Sequence, residues 1–231
     1  MKPTFEPLTA SVNHSFLVRQ FEEKYFSAPY HFHPEYELTW IVKGCGKRYV
    51  GTHMHDYFPG DLVLLGSNLP HCWKTENTKN GENSNSIVIQ FHPDFMGSDF
   101  FGKPEMKHIR RLLNNSQSGL QFTGNTNSLK EKMYVMLDEP QSFKKWTLLM
   151  DILHELASTG EYVMLSQEVP APELSPLEKA RMNICIAYIF ENLRNKISLQ
   201  EVASLVNMTP HAFCRCFKKL NRKTFIEAVT D

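Results

Sequence analysis

His31-Phe32-His33-Pro34-Glu35-Tyr36-Glu37-Leu38-Thr39-Trp40-Ile41-Val42-Lys43-Gly44 is the stretch on which the fold turns. Apolar Tyr36, Leu38, Trp40 and Val42 alternate with Glu37, Thr39 and Ile41, the period of a β-strand. On a strand of period two, His31, His33 and Glu37 point the same way. A later imidazole, His71, follows Leu69-Pro70. Three imidazoles and a carboxylate can hold a divalent metal (Zn, Fe, Ni, Mn or Cu), and they can equally wall a polar pocket. Five of the ten histidines lie between His31 and His71. His53 and His55 share a face, as residues of the surface or a pocket rim.

Working outward, residues 1–101 read as short strands broken by Gly and Pro. Phe16–Phe21 is one run. Gly44-Cys45-Gly46 turns the chain and Lys47–Val50 returns it as a hairpin. Pro59-Gly60-Asp61 leads into the apolar Leu62–Leu65, and Ile87–Phe91 closes the series. Many strands with no helix between them predict an antiparallel barrel or sandwich. From Pro104 the spacing becomes helical. Met106, Ile109, Leu112 and Leu113 share one face, as do Leu129, Met133, Met136 and Leu137. Trp146, Leu149, Met150, Leu153, Leu156 and Ala157 predict a helix over 142–165 that caps the barrel or pairs with a second copy. Residues 168–176 hold three prolines and form a linker.

Residues 177–231 carry a third pattern. A helix is predicted over 177–193, with Met182, Cys185, Ile186, Ile189, Phe190 and Leu193 inward. Ser198 and Glu201 form a capping box. A short helix then ends near Leu205, Val206-Asn207-Met208 turns the chain, and Thr209-Pro210 opens another helix. Two short helices so joined are a helix-turn-helix pattern. On the second, Phe213, Phe217 and Leu220 face inward, and His211, Cys214, Arg215 and Lys218 face out. Formal charge agrees. The chain is neutral, yet residues 1–170 hold 16 Lys+Arg against 19 Asp+Glu, while 171–231 hold 9 against 6. A basic segment on an acidic body suits a polyanion.

With 42% hydrophobic and 12% aromatic residues in 231, wholesale disorder is excluded. Five cysteines without a Cys-x-x-Cys pair fit free thiols in a reducing cytoplasm. No signal-like or membrane-spanning run is present, nor any P-loop or His-Glu-x-x-His motif.

Lys196-Ile197-Ser198-Leu199-Gln200-Glu201-Val202-Ala203 and Met208–Lys219 resemble the first helix-turn-helix of AraC-type transcription regulators. The resemblance implies DNA reading by His211, Cys214 and Arg215, with Lys218 and Lys219 on phosphates. It also implies a second helix-turn-helix after a long connector. Residues 224–231 resemble the start of that connector, and the second motif is not in this sequence. His31-x-His33-x3-Glu37-x6-Gly44 resembles the first cupin motif, and Gly66-Ser67-Asn68-Leu69-Pro70-His71 the second. Gly66 stands where Pro is usual, Asn68 where Gly is, and Thr75 where a later Asn is common. In metal cupins the matching ligands are His31, His33, Glu37 and His71.

The expectation is therefore an α+β chain: a cupin- or jelly-roll-like sensing barrel (1–101), a helical dimerisation or packing segment (102–167), a linker (168–176) and a partial DNA-binding domain (177–231). The implied activity is ligand-responsive transcription regulation by a cytoplasmic homodimer on double-stranded DNA, with no cofactor required. Arg19, His33, Glu37, Trp40, Tyr49, His71 and Trp73 are the expected pocket, suited to a hydroxylated effector such as a sugar, since aromatic faces stack on sugar rings; the other reading is that the aromatics are core, and for Trp40 it is the better one. The alternative is a metal-dependent cupin oxygenase or isomerase.

Overall fold

The computed structural model describes residues 3–6, 15–51, 53–75, 83–166, 181, 185, 188, 197–221 and 224–225. The chain divides into two compact units. One spans 8–169, and the other joins 170–231 with 1–7 and includes β1 (Thr4–Phe5). The linker at 168–176 lies outside the described residues.

The larger unit is built on two antiparallel sheets. The first places β3 (His31–Phe32), β8 (His71–Thr75), β5 (Gly46–Val50) and β6 (His53–Tyr57) side by side. The second runs in the order β11 (Tyr162–Met164), β10 (Leu120–Phe122), β7 (Leu62–Leu65), β4 (Tyr36–Lys43), β9 (Ser84–Phe91) and β2 (Phe16–Glu23). Between the sheets, Ile41, Val63 and Leu65 of the second meet Val50, Tyr57 and Trp73 of the first, with Leu165. This is the α+β, cupin-like architecture expected.

The alternation in β4 decides what lies where. Leu38 and Trp40 point away from the first sheet, into a core shared with α1 (Lys107–Asn115), α2 (Asn127–Asp138) and α3 (Ser142–Thr159). Leu149, Ile152, Leu153 and Leu156 of α3 are at most 1% exposed there, each contributing roughly 1.5–3 kcal/mol on burial. The helices thus cover one face of the second sheet. None of the described helices is long and apolar enough to cross a membrane.

Two expectations are corrected. Gly44-Cys45 is not a hairpin turn: β4 pairs with β7 and β9, whereas β5 pairs with β6 and β8. The chain crosses between sheets there. Gly44 has φ +100°, and a Cβ on it would meet the Ser84 hydroxyl at 2.7 Å. The third helix ends at Thr159, not Leu165, because Gly160 takes the left-handed conformation (φ 62°) that closes helices. Tyr162–Met164 then pairs with β10.

In the smaller unit, α4 (Leu199–Leu205) and α5 (Pro210–Asn221) pack around Val202, Ala203, Val206, Phe213 and Phe217, with Cys185 and Phe225. The Ser198 hydroxyl accepts from the Glu201 amide at 3.2 Å, and the Glu201 carboxylate accepts from the Ser198 amide at 3.2 Å, so the capping box is complete. Asn207 takes φ 52° in the turn, and the Thr209 hydroxyl accepts from the Ala212 amide at the start of α5. Of the six inward residues expected on the preceding helix, Cys185 alone is described, and it is buried; the other five lie outside the described residues.

Candidate functional site

His31 and His71 are direct partners across the β3–β8 ladder, so their side chains share the inner face of the first sheet. Their rings lie 4.4 Å apart, and the His33 ring lies 5.1 Å from that of His71. Glu37 reaches the same place from the opposite sheet. The His31-to-Glu37 stretch is therefore not one strand, as the odd numbering suggested. It crosses from one sheet to the other, and its residues converge because the sheets face each other. The loop before His71 is tied to it, since the Asn68 amide donates to the His33 carbonyl at 2.7 Å. Asn68 adopts φ 60° there, and Gly66 abuts Gln117 so closely that a Cβ would lie 2.7 Å from its backbone.

The ligand atoms of His31, His33 and His71 all lie within 4.8 Å of one another, and all three residues are buried. His31 Nδ1 donates to the Pro29 carbonyl at 2.8 Å, and His71 Nδ1 donates to the Leu69 carbonyl at 2.7 Å. A carbonyl only accepts, so each Nδ1 carries a proton, and Nε2 is the nitrogen that offers a lone pair when the ring is neutral. Backbone carbonyls pin ligating imidazoles in this way. Glu37 stands one step back. Its Oε1 accepts from the Thr39 hydroxyl at 2.6 Å, and its Oε2 accepts from Gln90 Nε2 at 2.7 Å and from His33 Nε2 at 3.0 Å.

Burial works against the charged form of both Glu37 and His71. For Glu37 it is outweighed by His71 and by the hydrogen bonds around the carboxylate, which hold the group well below its ordinary range. For His71 burial prevails over the pull of Glu37, so the imidazole is pushed down. The Glu37 carboxylate is thus held ionised, while His71 gives up its proton more readily than a free imidazole. His71 Nε2 lies 3.6 Å from Glu37 Oε1, beyond an ordinary hydrogen bond. That nitrogen and His33 Nδ1 are buried without a hydrogen-bond partner. Burial raises the Glu35 carboxyl, whose Oε2 lies 3.5 Å from His33 Nδ1. The donor set fits a divalent transition metal, with two imidazole lone pairs and a third imidazole around one point.

The expected pocket is divided by strand register. Trp73 lies in line with Arg48 on the inner face of the first sheet, 5.7 Å from the His71 ring. Half-buried Arg19 lies opposite Val88, which lies opposite Thr39, so it shares the face of Glu37. Trp40 does not. One residue out of phase with Glu37 and Thr39, it turns to the helix side, where Tyr134 meets it edge-on at 5.0 Å and Lys130 lies 5.9 Å from its ring. Tyr49 also turns away, because it pairs with Cys72 and Met54 on the outer face of the first sheet. His53 and His55 stack at 5.7 Å on the edge strand β6.

Sequence reasoning missed the residues that hold Glu37. Gln90 is the one polar residue in the run Ile87–Phe91, a signal that was available. It also missed Arg48, which is fully buried. Arg48 Nη1 donates to Asp61 Oδ2 at 2.6 Å and Nη2 to Gln121 Oε1 at 3.1 Å, while Gln121 Nε2 donates to Asp61 Oδ1 at 3.0 Å.

On α5, Phe213 and Phe217 are buried, whereas His211, Arg215 and Lys218 are exposed and Cys214 is half-buried. The side chains of Lys219 and Leu220 lie outside the described residues. The outward face therefore carries a mixed donor and acceptor, a guanidinium and an ammonium, on a helix held rigidly from behind.

No known protein-family profile matches the chain. It is 26% identical over 193 residues to the uncharacterized HTH-type transcriptional regulator YbfI of Bacillus subtilis (strain 168), a match covering 83% of this chain. The match spans 65% of that curated relative's length. Among solved structures it is similar to ToxT from Vibrio cholerae, with a TM-score of 0.52 and 11% identity over 94% of this chain and 79% of ToxT. A second ToxT structure, from strain O395, gives a TM-score of 0.52 and 12% identity over 93% of this chain and 78% of that one.

Proposed function

We propose that this chain, which carries the cupin-like barrel and helix-turn-helix of the AraC-type regulators, is a ligand-responsive transcription regulator. The observation that carries this reading is α5. A capped, aromatic-backed helix presents His211, Arg215 and Lys218 outward after a tight turn, the form of a helix that reads the major groove. Arg215 is suited to bridging O6 and N7 of a guanine, and Lys218 and Lys219 to backbone phosphates. Arg215→Ala is expected to cost about 1–3 kcal/mol of specific duplex binding and to relax base preference at one position. Unchanged operator affinity in a gel-shift titration would remove this assignment.

The barrel is the sensor in this reading, not a catalyst. Its effector is small and polar. An apolar cluster closes the space between the sheets around Ile41, Tyr57, Val63 and Trp73, and with Trp40 and Tyr49 turned away only Trp73 remains to stack on a sugar. The three buried histidines favour a second, narrower reading, in which the ligand is a divalent transition metal held by His31, His33 and His71, with Glu37 orienting His33 or completing the set. Metal analysis of untagged protein tests it; well below one equivalent after metal loading counts against it. An effector regulates only if it binds two arrangements of the protein with different affinity. The homodimer of this proposal pairs α3 through Phe143 (73% exposed) and the Trp146 stacked on it at 5.8 Å. Five free thiols suit a cytoplasmic setting.

A further inference from the structure

The α1 helix carries a charge arrangement that neither the barrel site nor α5 uses. Its inner face, Ile109, Leu112 and Leu113, is buried in the core beneath the second sheet. Its outer face shows Lys107, Arg110 and Arg111, all exposed, and Lys103 precedes them. Lys107 stands three residues before Arg110 and four before Arg111, so like charges crowd one another on the helix surface. Lys107 also opens the helix, where the macrodipole is already positive, and the first turn holds no acidic residue. None of these four cations has an acidic partner within ion-pair distance among the described residues. Glu105 is the one acidic residue between 103 and 111. Lys107, His108, Arg110, Arg111, Asn114 and Asn115 line a depression of about 410 Å³. Two separate electrostatic effects thus disfavour this arrangement in the free protein, and an anionic row laid along the helix relieves both.

We propose that the outer face of α1 binds the phosphate backbone of double-stranded DNA, so that the barrel unit itself contributes sequence-independent contacts. The proposal rests on the reading of the chain as a DNA-binding regulator. Guanidinium groups suit this role, since Arg110 and Arg111 can each grip a phosphate with two parallel hydrogen bonds. Contacts of this kind position a protein without reading bases, and each releases counterions.

The test uses the full chain and two 30-base-pair duplexes, one of random sequence and one carrying the operator, defined as the sequence that the parent protein enriches from a random-sequence duplex library, titrated by fluorescence anisotropy across a range of salt concentrations. The variant is Lys107→Gln/Arg110→Gln/Arg111→Gln, with Arg215→Ala for comparison. Loss of three phosphate contacts lowers the slope of log affinity against log salt by about 2–3 and weakens both duplexes alike, by about tenfold at 0.1 M salt. The variant should melt no lower than the parent, because removing like-charge crowding does not harm α1. An unchanged slope in the triple variant, while Arg215→Ala loses operator preference, overturns this proposal and leaves the regulator reading standing. An unchanged slope with altered sedimentation assigns the face to a second copy and also overturns it. Absence of duplex binding by the parent at low salt overturns both.

Discussion

The barrel holds two buried polar constellations, built on opposite plans. Around Arg48 a cation, a carboxylate and an amide close a ring: Arg48 to Asp61, Arg48 to Gln121, Gln121 to Asp61. Burial pushes Arg48 down and Asp61 up, and each partner's charge opposes the shift in the other, so the pair stays ionised and neutral overall. Around Glu37 the carboxylate is satisfied by Thr39, Gln90 and His33, yet His71 Nε2 and His33 Nδ1 have no donor facing them. The first constellation links the two sheets. The second gathers three buried imidazoles whose ligand atoms lie within 4.8 Å of one another, the feature on which the proposed metal reading rests. The two constellations therefore differ in charge pairing: Arg48 faces a carboxylate and Glu37 faces imidazoles, while each leaves buried nitrogen without a partner, Arg48 Nε in the first and His71 Nε2 and His33 Nδ1 in the second.

That contrast can be broken most directly at Arg48. Arg48→Met strands Asp61 without its counter-charge and should cost about 3–5 kcal/mol in urea unfolding, while Arg48→Met/Asp61→Leu/Gln121→Leu should regain most of the loss. A triple variant as unstable as the single one would show that the ring does more than bridge sheets. Next in size is the response to metal. Zn²⁺ at about one hundred times its dissociation constant should stabilise the parent by about 2.7 kcal/mol. The same metal should leave His71→Ala unmoved, which differential scanning calorimetry reads. Gln90→Leu and Thr39→Val remove supports of Glu37 and should weaken metal binding by about 10–100-fold, while equivalent changes at Gln121 leave it alone.

The smallest effect is on pH. Burial depresses His71, so below about pH 6.5 the unfolded chain binds its proton before the folded barrel does. Stability should therefore fall as pH drops below that value, and further as it drops through the depressed range of Glu37, whose unfolded form protonates first. Urea midpoints at pH 7.5 and 5.5 should differ less in His71→Gln than in the parent. An equal difference would place the acid sensitivity elsewhere.

Local pattern carried much of this molecule. The period of two in β4, the threes and fours of α1, α2 and α3, the Ser198–Glu201 box and the Thr209-Pro210 start were legible because each depends on neighbours within one or two turns of chain. The four candidate metal residues were legible through their spacing, and three of the histidines do meet. Illegible from sequence were the partners of Glu37 and the side taken by Tyr49. Gln90 is 53 residues from Glu37 in sequence and Gln121 is 73 from Arg48, and no local rule reaches that far. Trp40 is core, the better of the two readings its sequence position offers, because strand parity sends it to the face away from Glu37.

The sequence by itself determined the classes of element, their order, the helix caps and the inventory of ligating side chains, because these follow from backbone sterics and hydrophobic period. Only the tertiary structure decided that β4 and β5 belong to different sheets, and hence that His31 and His71 on one sheet face Glu37 on the other. The same packing decided that Arg48 is paired with Asp61 and that His71 Nε2 is buried without a hydrogen-bond partner. Register and sheet-to-sheet contact are long-range quantities, set by how two surfaces bury each other, and they turn a row of odd-numbered residues into a site.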